Sequence, residues 1–314
     1  MVATVSVLFS LSDFFLHGNW SDPRIYSLWE QQLASFDRAI ALLDPVPAER
    51  FSPRTYSDHI GEYDTIGVLY KASGGNQSLP TVLVGNGYDG AQEESFHSSC
   101  VELLKRGVNC VTYEGPGQPT VRRQQGIGFI PGWWTAASPV MNYLDGRSDV
   151  VMSKVALMGI SFGGTLAPRA ASHDDRYSAV IVLDGFYSMQ QVIEERLPAE
   201  IIAAFDTTDA TAFDEIMTCI QGNSTYPTEL RWLIDWSLFA FDTHSPYDWF
   251  TRLGKITIGK DIVEKLWMPV FVAKGQDDTT TLQQPGTAYQ MLTTEFGSAV
   301  PTGDMASEDE DAVV

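Results

Sequence analysis

Residues 155–164 read Val-Ala-Leu-Met-Gly-Ile-Ser-Phe-Gly-Gly. An apolar run suited to a buried strand leads into G-x-S-x-G-G, and residues suited to a helix follow. No other segment constrains the fold as strongly. A serine on a tight strand-to-helix turn has its Oγ lifted above the sheet, and side chains two places to either side would collide with that turn, so glycine stands there. The hydroxyl also falls at a helix N-terminus, where free N–H groups and the positive end of the dipole favour developing negative charge. Ser161 is therefore the candidate nucleophile. A glycine-rich turn with an incidental serine would share these letters, and the flanking strand and helix give the motif its weight.

The surrounding pattern agrees. From residue 80 onward short apolar runs alternate with helical stretches: strands at Thr81–Val84, Val108–Tyr113, Lys154–Met158, Ala179–Leu183 and Pro269–Ala273, with helices at about 91–105, 136–145, after Ser161, and 284–292. Such alternation predicts an α/β fold built on a mostly parallel sheet with right-handed crossovers. Residues 12–44 read as helical, with Asp22-Pro23 as a start and Pro45 and Pro47 as a stop. Short strands are expected near Thr55–Tyr56 and Ile66–Tyr70. The interval 186–250 breaks the alternation. It is helical in pattern, aromatic-rich from Phe205 to Phe250, and too long for a loop, so it reads as a helical cap inserted between core strands. The expected organisation is an N-terminal helical segment over 1–50, a core over 51–185 and 251–295, the cap over 186–250, and an acidic, disordered tail over 296–314.

Two further segments carry chemistry. Gly85-Asn86-Gly87-Tyr88-Asp89-Gly90 follows the strand Thr81–Val84. In a fold of this kind the loop after that strand supplies one oxyanion-hole N–H and the residue after the nucleophile supplies the other, which assigns the hole to Tyr88 and Phe162. Val270-Phe271-Val272-Ala273-Lys274-Gly275-Gln276-Asp277-Asp278 ends a late strand with an acid, where the histidine-orienting carboxylate belongs. Spacing favours Asp278 over Asp277, and Asp184 is a possible substitute. Tyr113–Gln118 reads as a structural turn beside the site.

No histidine follows Asp278. The five histidines, His17, His59, His97, His173 and His244, all precede it. A serine hydroxyl without a base is a weak nucleophile at neutral pH. Three explanations stand side by side. The chain is truncated and lacks its last strand and helix; or it has exchanged hydrolysis for cyclisation or condensation; or an upstream histidine such as His244 or His97 serves.

Composition narrows the partners. A net charge of −20 repels nucleic-acid phosphates and anionic membrane surfaces. No stretch is long and apolar enough to span a bilayer. The first sixteen residues lack a basic leader region, so a signal peptide is not expected. Cys100, Cys110 and Cys219 have no metal-ligand spacing and read as three reduced thiols in a cytoplasmic protein. No cofactor or metal site is expected; the expected partner is a small-molecule substrate, and the chain a monomer or homodimer.

GNGYDG with Glu93-Glu94, YEGPGQ at 113–118, Asp149-Val150 ahead of Lys154–Leu157, GISFGGTLAPRAA and Asp184-Gly185 come in this order. Together they resemble the dihydropseudooxynicotine-hydrolase-like branch of the α/β hydrolases, which includes fungal enzymes that shorten or release polyketides. The resemblance covers most of the chain. It implies an α/β-hydrolase fold with N-terminal helices and a cap. It also implies cofactor-free hydrolysis of carbon–carbon bonds in β-dicarbonyl or related ketones, with roles for Ser161 and Asp278. The family's C-terminal histidine has no counterpart here. Some cap-bearing relatives are thought to close rings instead.

Overall fold

The computed structural model describes residues 12–75 and 77–296. Strands β1 (Glu49–Phe51), β4 (Ile66–Tyr70), β5 (Leu79–Gly85), β6 (Asn109–Glu114), β7 (Val150–Ile160), β8 (Ala179–Leu183) and β9 (Val270–Ala273) form a seven-stranded sheet in the order β1-β4-β6-β5-β7-β8-β9. Its β6-β5-β7-β8-β9 portion is parallel, and β4 and β1 add antiparallel at one edge. Strands β2 (Arg54–Ser57) and β3 (Gly61–Asp64) make a separate hairpin. The expected strands are all present; β1 and β3 were not foreseen, being too short to show a period. Leu83, Val111, Leu157, Val180 and Val182 are buried, as parallel strands covered on both faces require.

The chain runs outward in both directions from β5, with β6 on one side and β7 on the other. Loops leaving β5 and β7 at their carboxyl ends therefore emerge side by side, the position where open α/β sheets bind ligands. Gly85 and Gly159 are register partners at that point.

The N-terminal helix α1 spans Arg24–Ile40 and buries Ile25, Trp29, Phe36 and Ile40 at helical spacing. It is shorter than the predicted 12–44. Ahead of it the chain descends through successive turns closed by Leu16 N–H to Asp13 O, Asn19 N–H to Leu16 O and Asp22 N–H to Asn19 O. Arg123 holds this segment: it donates to Asp13 at 2.6 Å and to the Ile25 carbonyl at 3.1 Å, with its guanidinium 4.2 Å from the Trp29 ring centroid.

The crossover from β5 to β6 is a helix with a π-helical turn: α2 (Gln92–Ser95), the turn Phe96–Cys100, and α3 (Val101–Lys105). That turn faces Cys100 towards Cys110 on β6, and the two form a disulfide with Cα atoms 5.4 Å apart. The expectation of three reduced thiols is thus corrected for two of them; Cys219 is free and exposed. A ten-residue separation carries no signal until the helix returns along the strand. Helices α4 (Pro119–Gln125), which sequence pattern missed, and α5 (Trp134–Asp145) lead to β7, and α6 (Phe162–Ala171) follows it.

Between β8 and β9 lie α7 (Met189–Arg196), α8 (Ala199–Asp206), α9 (Ala210–Gly222), α10 (Thr228–Phe241), α11 (Pro246–Leu253) and the short α12 (Lys260–Val263). The helical reading of 186–250 holds. Phe213, Phe239, Phe241, Trp249 and Phe250 are fully buried within this insertion or against the core. Helix α13 (Gln284–Phe296) follows β9, and among the described residues no strand comes after β9. Of the acidic tail predicted at 296–314, Phe296 ends α13 and the rest lies outside the described residues. Among the described residues no helix is long and apolar enough to cross a membrane.

Glu114, fully buried at the end of β6, joins two helices. One carboxyl oxygen accepts from Gln92 N–H at 2.9 Å and the other from Thr120 N–H at 2.6 Å, so a single side chain satisfies free amides at the starts of α2 and α4. Burial pushes its pKa upward, against the pull of those amides. Burial, and then Glu114 itself, push the neighbouring Glu93 upward too, against the pull of Arg50 at 3.2 Å. A carboxyl whose pKa is raised on folding holds its proton where the unfolded chain has released it, so stability should fall as pH rises above the ordinary glutamate value of 4.5. Urea unfolding from about pH 5 to about pH 8 should show this decline, and Glu93→Gln should reduce it, gaining roughly 1 kcal/mol or more at the upper end.

Candidate active site

Ser161 sits between β7 and α6 with φ 56° and ψ −125°, a backbone conformation that L-residues seldom adopt. Its amide donates to the Leu183 carbonyl at 2.8 Å, and its carbonyl accepts from Gly164 N–H at 2.8 Å. The glycines around it are demanded by backbone contact. A Cβ on Gly159 would lie 2.0 Å from the Gly163 carbonyl oxygen, one on Gly163 would lie 2.5 Å from that of Gly85, and one on Gly164 would lie 2.7 Å from Gly185 Cα. The G-x-S-x-G-G spacing is thus a record of three chain segments touching without side chains. Gly87 belongs to the same set: its Cβ position is 3.2 Å from Ser161 Cβ and 3.4 Å from Ser161 Oγ.

The loop 86–90 is held from two directions. On the core side, Asn86 Oδ1 accepts from Gly87 N–H at 2.7 Å, and Asn86 Nδ2 donates to the Ala91 carbonyl at 2.7 Å. Gln118 Nε2 donates to the Asn86 carbonyl at 2.9 Å, while its Oε1 accepts from Gly115 N–H at 3.0 Å. Tyr113–Gln118, read as a structural turn, therefore also buttresses the candidate oxyanion loop through Gln118. On the other side the helical insertion clamps Tyr88: Trp236 Nε1 donates to the Tyr88 carbonyl at 3.2 Å, and the Tyr88 hydroxyl donates to Ser237 Oγ at 2.8 Å. The Tyr88 ring meets the Phe162 ring edge-on at 5.3 Å. Phe162 opens α6, so its amide has no intrahelical acceptor.

Ser161 and Tyr88 line one cavity of about 440 Å³. Its apolar wall comes from Phe186, from Met189, Val192 and Ile193 of α7, and from Pro227, Leu230, Trp232 and Leu233 at the start of α10. Asp89, Arg196, Glu229, Thr279 and Thr280 supply the polar remainder. Asp89, Arg196 and the two threonines escaped the sequence reading. Asp89 stood inside a motif already assigned to another residue, and the others converge only when the insertion and the loop after β9 come together. Arg196 fastens these two parts, donating to the carbonyls of Thr279 and Thr280 at 2.9 and 3.0 Å.

Asp278 stands in the loop after β9, outside the cavity lining but adjacent to Thr279 and Thr280. It accepts from the amides of Thr280 and Thr281 and from the Thr281 hydroxyl. Partial burial works against its ionisation, yet these hydrogen bonds and Lys274 outweigh it and hold its pKa below the usual aspartate value. Asp184 lies close by, with φ 49° and a carboxyl oxygen accepting from Gly275 N–H at 2.7 Å. Asp277 is exposed.

None of the five histidines lines the cavity. His244 stacks on Trp20 and is exposed, His97 and His59 are exposed, and His173 stacks on Trp134. His17 is buried between Arg123, Trp236 and Phe239; burial first, and then Arg123, lower its pKa to about 3 and keep it neutral.

Glycine substitutions test the backbone contacts directly. Gly159→Ala should lose several kcal/mol or fail to accumulate in soluble form, because its new methyl meets backbone that cannot yield. Gly146→Ala, with nothing within 4 Å and φ −83°, should be neutral or up to about 1 kcal/mol stabilising in the same unfolding assay.

No family model matches the chain. Among curated proteins it is 28% identical over 253 residues to the hydrolase acrC of Aspergillus aculeatus, covering 76% of this chain and 58% of that one. It is 24% identical over 274 residues to the 20-hydroxy-prefusarin hydrolase FUS2 of Gibberella moniliformis, covering 85% and 64%. The chain thus spans about three-fifths of the length of these relatives. Among solved structures, a 2,6-dihydroxy-pseudo-oxynicotine hydrolase superposes with a TM-score of 0.68 at 18% identity, over 93% of this chain and 70% of that one. The α/β hydrolase GrgF from a Penicillium species superposes at 0.54 and 13% identity, over 81% and 88%.

Proposed function

For a chain with the α/β-hydrolase fold and fungal hydrolases as its relatives, we propose a serine-type hydrolase acting on a carbonyl compound. The bond cleaved is an ester or the carbon–carbon bond of a β-dicarbonyl, and the substrate is polyketide-like, from fungal-type secondary metabolism of toxins or pigments. The observation that carries this reading is Ser161: a strained turn holds it against a cavity with an apolar wall and a few polar groups. A cavity of about 440 Å³ suits a small molecule rather than a polymer.

In this reading the helices over 186–250 act as the cap, with α7 and the start of α10 gripping the apolar body of the substrate. Ser161 Oγ attacks the carbonyl. The amides of Phe162 and Tyr88 hold the oxyanion, worth roughly 3 kcal/mol per donor. Asp278, in the loop bearing Thr279 and Thr280, is the acid assigned to orient a histidine. A fluorophosphonate probe should label the wild-type protein, and Ser161→Ala should abolish labelling without lowering the melting temperature. Absence of wild-type labelling would count against an activated serine.

The same site carries one alternative, a non-hydrolytic ring-closing enzyme. There the two amides stabilise an enolate and the enzyme closes a ring, with Ser161 donating only a hydrogen bond. Ser161→Ala would then retain substantial turnover of a reactive polyketide ketone or aldehyde, whereas hydrolysis requires that turnover fall by several orders of magnitude.

A further inference from the structure

Trp232 is shared between the cavity and a segment far from it in sequence. It lines the cavity with Ser161 and Tyr88. Its ring stacks on Phe14 with centroids 4.6 Å apart and planes 11° from parallel, and its Nε1 donates to the Phe14 carbonyl at 2.9 Å. A side chain of the cavity wall is thus fixed in plane by a residue that belongs neither to the helical insertion nor to the cavity lining.

That contact is one of a row. Segment 13–20, ahead of α1, lies along α10 and meets Trp232, Asp235, Trp236 and Phe239, whose helical spacing puts them on one face. The His17 ring lies 4.6 Å from that of Trp236 and 4.7 Å from that of Phe239, and Trp20 lies 5.8 Å from Phe239. At Gly18 the segment passes so close that a Cβ would lie 2.8 Å from the Asp235 carboxylate. Leu230, Leu233 and Ser237, on the other side of the same helix, meet the cavity or the Tyr88 hydroxyl. Helix α10 is therefore packed between segment 13–20 and the site.

The segment is fastened independently of the insertion. Asp13 pairs with Arg123 of α4 at 2.6 Å, and both side chains are almost fully buried. Arg123 is tied in turn to α1, through the Ile25 carbonyl at 3.1 Å and the Trp29 ring. Breaking a buried pair leaves one charge stranded, so the segment is held in this one position. The row of contacts runs from the core through segment 13–20 to α10. From α10, Trp236 holds the Tyr88 carbonyl and Ser237 its hydroxyl.

We propose that segment 13–20 is a strap that sets the cavity wall, and that Phe14 is a positioning residue which governs, through Trp232, the size of acyl group the cavity accepts. The selectivity rests on the hydrolase reading above; the mechanical tie does not. With the Phe14 ring in place, the Trp232 indole is a fixed wall. Without it the indole gains the vacated space, and a long acyl chain loses an ordered apolar surface. An acetyl group covers little of that wall and is little affected.

The test uses the full chain and two readouts. In hydrogen–deuterium exchange, Phe14→Ala should speed exchange of α10 and of loop 86–90 by about 10-fold or more, with strands β5 to β8 unchanged. In turnover, Phe14→Ala should lower kcat/KM for p-nitrophenyl octanoate by about 3-fold or more, through KM, and leave p-nitrophenyl acetate within about 2-fold. Phe14→Tyr, which keeps the ring, should restore both readouts. Unchanged exchange in α10 and loop 86–90 overturns the strap. Faster exchange with equal losses on both esters overturns the selectivity role and supports the strap. Should Phe14→Ala not fold, the wild type decides: the Leu16 and Asn19 amides, hydrogen-bonded within the segment, should be protected together with α10, and free exchange there overturns the strap. If wild type turns over neither ester, the hydrolase reading and the selectivity role fail together, and exchange alone judges the strap.

Discussion

The close approach of backbone to backbone around Ser161 is the constraint on which the rest of the site depends. Gly159 lies against Gly163, Gly163 against Gly85 and Asn86, and Gly164 against Gly185. These contacts bring the ends of β5, β7 and β8 within touching distance, so the loops leaving all three strands meet at one point. The positive φ of Ser161 costs on the order of 1–3 kcal/mol. The structure supports that strain with the Ser161–Leu183 and Gly164–Ser161 hydrogen bonds and with a buried parallel sheet beneath. On the proposed reading, a rigid scaffold under a strained serine preorganises the nucleophile.

The loop opposite the serine is built differently. It has no regular secondary structure, and its position is set by side chains arriving from far away in sequence. Gln118 reaches it from the turn after β6, while Trp236 and Ser237 reach it from the helical insertion. The insertion therefore does more than cover the cavity: a shift of α10 is passed directly to the Tyr88 carbonyl and hydroxyl. Arg196 makes a second tie, from α7 to the loop that carries Asp278. Shape of the apolar wall and position of the polar groups are thus coupled through the same helices.

Charge is handled without a metal ligand set among the described residues. Glu114 is placed where two helix starts need an acceptor, Asp278 where a loop needs one, and Arg123 where the N-terminal segment needs an anchor. Each has its partners at hand. Asp89, which lines the cavity, has no such side-chain partner among the described residues.

What the sequence determined by itself is local. Apolar runs of strand length, glycines at fixed offsets and a helix-forming stretch after Ser161 specify the strand-turn-helix and the alternating α/β layout, because steric demands of a tight turn are written in adjacent residues. The same holds for the helical insertion, whose length and aromatic content exclude a loop. What the tertiary structure decided is everything that depends on residues distant in sequence. Cys100 meets Cys110 because a π-helical turn faces β6. Gln118 leaves its turn to support loop 86–90, none of the five histidines reaches the cavity, and Asp89 joins Ser161 there. Side-chain partnership across a sheet or between a core and its insertion leaves no periodic trace in the chain, so only the folded arrangement could reveal it.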